Sequence, residues 1–193
     1  IKPDFDRAQN EATNLLLSQD FDSLFIDVRK FRFDKKILID SVQNFAIRTH
    51  RPLSDYTSNE FSGCCVLKNS RCDVILFDDS EKNECRKHWS IVHEVGHIYL
   101  NHEKDGEKEE KEAHFFAAQL VAPEIVLASI RKRKGSLHKD ELLQYFNISC
   151  EAAKKRLTTL KRRPCYNSAD IDKQLLQKFL PIINREFPNA SAS

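Results

Sequence analysis

Trp89-Ser90-Ile91-Val92-His93-Glu94-Val95-Gly96-His97-Ile98-Tyr99-Leu100 is an apolar run broken by two histidines and a glutamate in HExxH spacing. On an α-helix, positions i and i+4 share a face, so both imidazoles can bind one zinc ion. Glu94 is turned by about 100° from His93, within reach of a water held by that metal, as a general base. The flanks leave this helix almost no polar face. Two histidines and a glutamate in so apolar a setting are costly unless paired or bound to metal. Gly96 costs about 1 kcal/mol against Ala inside a helix, which points to another backbone passing close by.

The chain has 193 residues, enough for one domain with a sizeable core, or one domain and a small appendage. Its formal net charge of +2 says little about partners. No apolar run reaches transmembrane length, and the stretch from Ile1 to Asn14 is polar and mixed in charge rather than a signal peptide. The expectation is a cytoplasmic protein with no membrane partner. Cys64, Cys65, Cys72, Cys85, Cys150 and Cys165 form no CxxC pair, which favours free thiols in a reducing compartment over a disulfide framework.

Outward from the HExxH run, periodicity predicts a helix over Asp6–Leu17 and a second over Asp34–His50, ended by Arg51-Pro52. Ser54 to Asn59 reads as a loop. Gly63–Leu67 and Cys72–Phe77 read as two strands of a hairpin. Substrate adds to a sheet edge in many HExxH peptidases, and the second strand is the candidate for that part. Helices follow over Glu107–Leu120, Glu124–Arg133, Lys139–Phe146, Cys150–Leu160 and Asp170–Phe187. Pro164 to Ser168 is a loop, and Pro188 to Ser193 a frayed tail.

A catalytic zinc needs a third protein ligand and an open fourth position. His102 is one candidate, but it comes five residues after His97 and is expected near the rim of the site. Among Glu107, Glu109, Glu110 and Glu112, the last directly precedes the apolar stripe Ala113, Phe116, Ala117 and Leu120, so Glu112 is expected to face inward. Glu109 is the runner-up, and Glu107 and Glu110 are expected to face solvent. His102, His114 and Tyr99 are candidate oxyanion donors.

His93-Glu94-Val95-Gly96-His97-Ile98-Tyr99-Leu100, followed by Glu112-Ala113-His114-Phe115-Phe116-Ala117-Ala118-Gln119-Leu120-Val121-Ala122-Pro123, resembles the ImmA/IrrE family of zinc metallopeptidases. That family carries HExGH and then an E-A-N-x-F-A-x-x-L-L-M-P helix. The resemblance spans roughly Phe61 to Leu160. It implies zinc on His93, His97 and Glu112, with Glu94 as the base, in a compact α+β gluzincin-like domain. It also implies a protein substrate, a helix-turn-helix repressor whose cleavage relieves repression. Two positions depart from the pattern: His114 stands for Asn, and Val121-Ala122 for Leu-Met.

Charge is unevenly split. Asp78 to Glu112 holds 11 acidic and 6 basic residues, whereas Arg131 to Arg163 holds 11 basic and 3 acidic. A basic helix-turn-helix-like pair invites a DNA-binding reading, but DNA is the less favoured partner, since many such units never touch it. The expected organisation is a zinc metallopeptidase domain over 1–125, a basic helix-turn-helix-like unit over 126–165, and a C-terminal helix and tail over 166–193. The alternative is a non-proteolytic regulator that binds a repressor or DNA around a structural or vestigial zinc. The HExxH glutamate speaks against it, because structural sites are usually closed by four Cys or His ligands.

Overall fold

The computed structural model describes residues 2–57, 61, 63–104, 106–162 and 169–188. The elements, in chain order, are α1 Phe5–Leu17, β1 Ile37–Ser41, α2 Val42–Thr49, β2 Cys64–Leu67, β3 Asp73–Phe77, α3 Glu84–Tyr99, α4 Glu107–Val121, α5 Glu124–Lys134, α6 Lys139–Phe146, α7 Cys150–Arg162 and α8 Asp170–Glu186. This is the expected α+β class. Arg163, Cys165, the expected Pro164–Ser168 loop and the tail beyond Pro188 lie outside the described residues. Cys64, Cys65, Cys72 and Cys150 are free thiols.

Two compact units emerge: Ile1–Pro3 with Asp27–His114, and Asp4–Ile26 with Phe115–Ser193. This differs from a division at 125 and 165, because α1 belongs with α8. Gln9 Nε2 donates to Asp172 Oδ2 at 3.0 Å, Thr13 Oγ1 donates to Asp172 Oδ1 at 3.4 Å, and the Phe21 and Phe179 rings lie 4.5 Å apart. No local signal in Phe5–Leu17 announces a partner some 160 residues away.

In the first unit the sheet runs β1-β3-β2, with β1 parallel and β2 antiparallel to β3. The hairpin is as expected, in the register Val66↔Ile75. The helix expected over Asp34–His50 is instead a strand followed by a shorter helix. Ile37-Leu38-Ile39 pairs with Asp73-Val74-Ile75, and Ser41 then caps α2 by accepting from Asn44 N–H at 3.1 Å. β-branched side chains suit the pleated surface, and the parallel partner settles the choice. Strand β3, the expected candidate for a substrate edge, is the central strand, and the sheet's edges are β1 and β2.

Helix α3 starts at Asn83, whose side chain accepts from Arg86 N–H at 3.1 Å. It packs on β2 and β3 with Ile91, Val92 and Val95 fully buried against a sheet whose Ile75 and Leu76 are equally buried. Each such side chain contributes roughly 1.5–3 kcal/mol. Lys35 Nζ closes the far end of α3, donating to Ile98 O at 2.8 Å and Asn101 Oδ1 at 3.0 Å.

His88, on the same helix, is buried and accepts from Val28 N–H at 3.2 Å. Burial pushes its pKa down to about 4. As pH falls below 6.5 the unfolded chain takes the proton first, so stability drops until the folded state also protonates near pH 4. The full loss is on the order of 3 kcal/mol. A His88→Leu variant starts less stable at pH 7.5, having lost the acceptor for Val28. Its deficit against wild type should shrink between pH 6.5 and 4, as read by urea unfolding; a constant gap contradicts this assignment.

In the second unit, α6 and α7 meet across Asn147, left-handed at φ 49°, which is the tight connection expected. Leu142, Phe146, Ile148, Ala153 and Leu160 are buried, while Leu143, Ala152 and Leu157 are half-buried. Arg156 is unexpectedly buried, donating to Ala122 O at 2.6 Å. Several other basic residues also serve the fold: Arg131 donates to Leu160 O at 2.9 Å, Arg133 to Phe187 O at 3.2 Å, and Lys134 pairs with Glu141. Of the basic residues on α7, Lys154, Lys155, Lys161 and Arg162 are exposed.

Candidate metal centre

Helix α3 sets His93 and His97 one turn apart, with their Nε2 atoms 3.0 Å from each other. Glu110, on α4, closes the group: Oε2 lies 3.3 Å from His93 Nε2, and Oε1 lies 3.2 Å from His97 Nε2. Burial, reinforced by His97, His114 and His102, lowers the His93 pKa to about 3. The ring is therefore neutral near pH 7, and its contact with Glu110 is no ion pair there. A carboxylate beside two imidazole nitrogens is the kind of donor set a cation takes.

The donor set fits a transition ion. Tetrahedral zinc with bonds near 2.05 Å keeps its donors about 3.3 Å apart, and the observed separations are 3.0, 3.2 and 3.3 Å. Two imidazoles speak against calcium or magnesium, which take oxygen ligands.

His114 stands one turn beyond Glu110 on α4, and such positions share a helix face. Ligand atoms of His93, Glu110 and His114 lie within 4.8 Å of one another. The exposed His114 ring sits 4.5 Å from His93 and stacks on Trp89 at 5.9 Å. It is thus a further donor beside His93 and Glu110, on the exposed side.

Glu112 is not the third member of this group. Positions two apart on a helix point about 200° away from each other, so Glu110 and Glu112 cannot both face the histidine pair. Glu112 does face inward, but inward here leads to His102, whose Nε2 lies 3.0 Å from Glu112 Oε2. Glu109 turns its carboxylate toward Gly106 instead. His102 is buried rather than at a rim, with Nδ1 3.1 Å from His97 Nδ1. The Glu110/His114 spacing of four is the sequence signal that places these two side chains on one helix face.

Glu94 lines the same cleft of about 590 Å³, between α3 and β2. Burial raises the thiol pKa values of Cys64 and Cys65 on β2, and the negative charge of Glu94 raises them further. Both thiols stay protonated and uncharged beside the carboxylate. Of the three candidate oxyanion donors, Tyr99 is buried and donates to Asp34 Oδ1 at 2.5 Å, and His102 is engaged with His97 and Glu112. His114 alone of the three remains at the open side.

No curated protein matches the chain. Residues 47–158 match the IrrE N-terminal-like domain family, Peptidase_M78. That segment holds β2, β3, the HExxH helix and all of α4, so it carries every side chain of the cleft described above. With more than half of its length inside that match, the chain belongs to the IrrE N-terminal-like family of peptidases.

Proposed function

We propose that this peptidase is a zinc-dependent endopeptidase that cleaves a helix-turn-helix transcriptional repressor in the cytoplasm. The observation that carries the catalytic part is the convergence of His93 Nε2, His97 Nε2 and both Glu110 oxygens at 3.0–3.3 Å beside Glu94. His93, His97 and Glu110 would hold the ion. When bound, zinc supplies Lewis acidity that polarises the scissile carbonyl and acidifies the attacking water. Glu94 takes the proton of that water and returns it to the leaving amine. Strand β2 is terminal in the sheet, so an extended substrate segment can add along it by main-chain hydrogen bonds. Exposed His114 is the donor best placed to meet a developing oxyanion.

The repressor as substrate class rests on the ImmA/IrrE resemblance and on no contact within the site. Its test is incubation of zinc-loaded protein with helix-turn-helix repressors encoded beside it. A single internal cut, stopped by chelator and restored by zinc, supports the reading; intact repressors across the panel oppose it. Exposed Lys154, Lys155, Lys161 and Arg162 keep DNA as a lesser partner, to be dismissed if the protein passes through a DNA column at low salt.

One observation favours a second reading, a regulator with a closed metal site. His114 stands beside His93 and Glu110 as a further donor, and sites closed by an added protein ligand are structural. His114→Asn separates the two. If His114 closes the site, the variant gains cleavage activity and cobalt substituted for zinc changes its visible spectrum. If His114 serves the substrate, the spectrum is unchanged and kcat falls by about 10–100-fold.

A further inference from the structure

His97 meets the cleft with one ring nitrogen and the interior with the other. Its Nδ1 lies 3.1 Å from Nδ1 of His102, and Nε2 of His102 lies 3.0 Å from Oε2 of Glu112. All three side chains are buried, Glu112 most deeply at 1 % exposure.

With both rings neutral, these contacts permit a single order of protons. A carboxylate only accepts, so His102 carries its proton on Nε2. Its Nδ1 is then a bare acceptor, and the proton between the two rings belongs to His97 Nδ1. That leaves His97 Nε2 bare, aimed at His93 Nε2 and Glu110 Oε1. Lys108 Nζ lies 3.4 Å from the other oxygen of Glu112. The backbone holds the arrangement: His102 N–H donates to His97 O at 3.0 Å, and Lys68 Nζ donates to His102 O at 2.6 Å. His93 has no such support. Its Nδ1 is buried without a hydrogen-bond partner among the described residues, and its ring packs between those of His97 at 4.7 Å and His114 at 4.5 Å.

We propose that Glu112 and His102 are positioning residues that lock His97 into the tautomer whose Nε2 lone pair faces the cleft. This makes His97 the preorganised anchor of the metal centre. The role in metal binding rests on the reading of the site given above; the proton order does not. An imidazole free to exchange its proton between nitrogens must be fixed when a metal binds, and a hydrogen bond at the far nitrogen does this in advance.

The test is ¹⁵N-histidine NMR on the metal-free full chain, paired with zinc affinity measured against a chromophoric chelator. Wild type should show His97 protonated on Nδ1. Glu112→Gln is nearly isosteric, but its amide either accepts or donates, so the chain can run both ways and the His97 tautomers should mix. His102→Phe has neither donor nor acceptor and should bind zinc about 10–100-fold more weakly. His102→Gln offers both on one side chain and should recover most of that affinity. An Nε2-protonated His97 in wild type overturns the proposal, as does an unmixed Nδ1-protonated His97 in Glu112→Gln. A folded His102→Phe with wild-type affinity overturns its metal-binding half. The two readings fail separately: a wild type that takes up no zinc sinks the metal centre, whereas the tautomer is read without metal.

Discussion

Glu94→Gln should lower peptide-bond cleavage by about 10²–10⁴-fold, the usual span for a positioned general base, and leave metal content unchanged. The amide fills the same space between α3 and β2 but cannot take a proton. Glu94 lines the cleft and is not among the side chains whose donor atoms converge on one point. Its loss should therefore appear in kcat rather than in zinc affinity. Cleavage by a clean Glu94→Gln preparation at the wild-type rate would remove Glu94 from the mechanism. Zinc lost along with activity would instead make it a ligand.

Glu110→Ala should weaken zinc binding by more than about 100-fold, because supporting partners alone are worth 10–100-fold and Glu110 offers its oxygens directly. The comparison with Glu112 is decisive. Glu110 Oε1 and Oε2 lie 3.2 and 3.3 Å from the histidine pair, while Glu112 touches His102 and Lys108. Glu110→Gln should thus cost more affinity than Glu112→Gln in the same chelator competition. The reverse ranking would restore Glu112 as the ligand.

An apolar stripe tells which way the interior lies, and Glu112 does lie toward the interior, at 1 % exposure. A catalytic metal, however, belongs to a cleft that substrate must enter, and half-exposed Glu110 borders that cleft. Apolar periodicity cannot tell an open wall from solvent. The HExxH helix was legible because its two ligands are local, one turn apart on a single element. Helix α2 is shorter than its sequence period predicts for a different reason. Ile37, Leu38, Val42, Phe45 and Ala46 satisfy a helical period, yet the first two pair with Asp73 and Val74, a partner set that only the folded chain reveals. The union of α1 with α8 is non-local in the same way. The buried link from Glu112 through His102 to His97 joins a helix end, a turn and a second helix, so it has no signature at any one spacing.

The most direct test of the central claim is the metal content of wild-type protein, purified without chelators and measured by elemental analysis. About one zinc per chain is expected, as three protein donors with an open position require. Wild type that carries no transition metal and takes up none from zinc-containing buffer would contradict it, and the convergence of His93, His97 and Glu110 would then need another explanation.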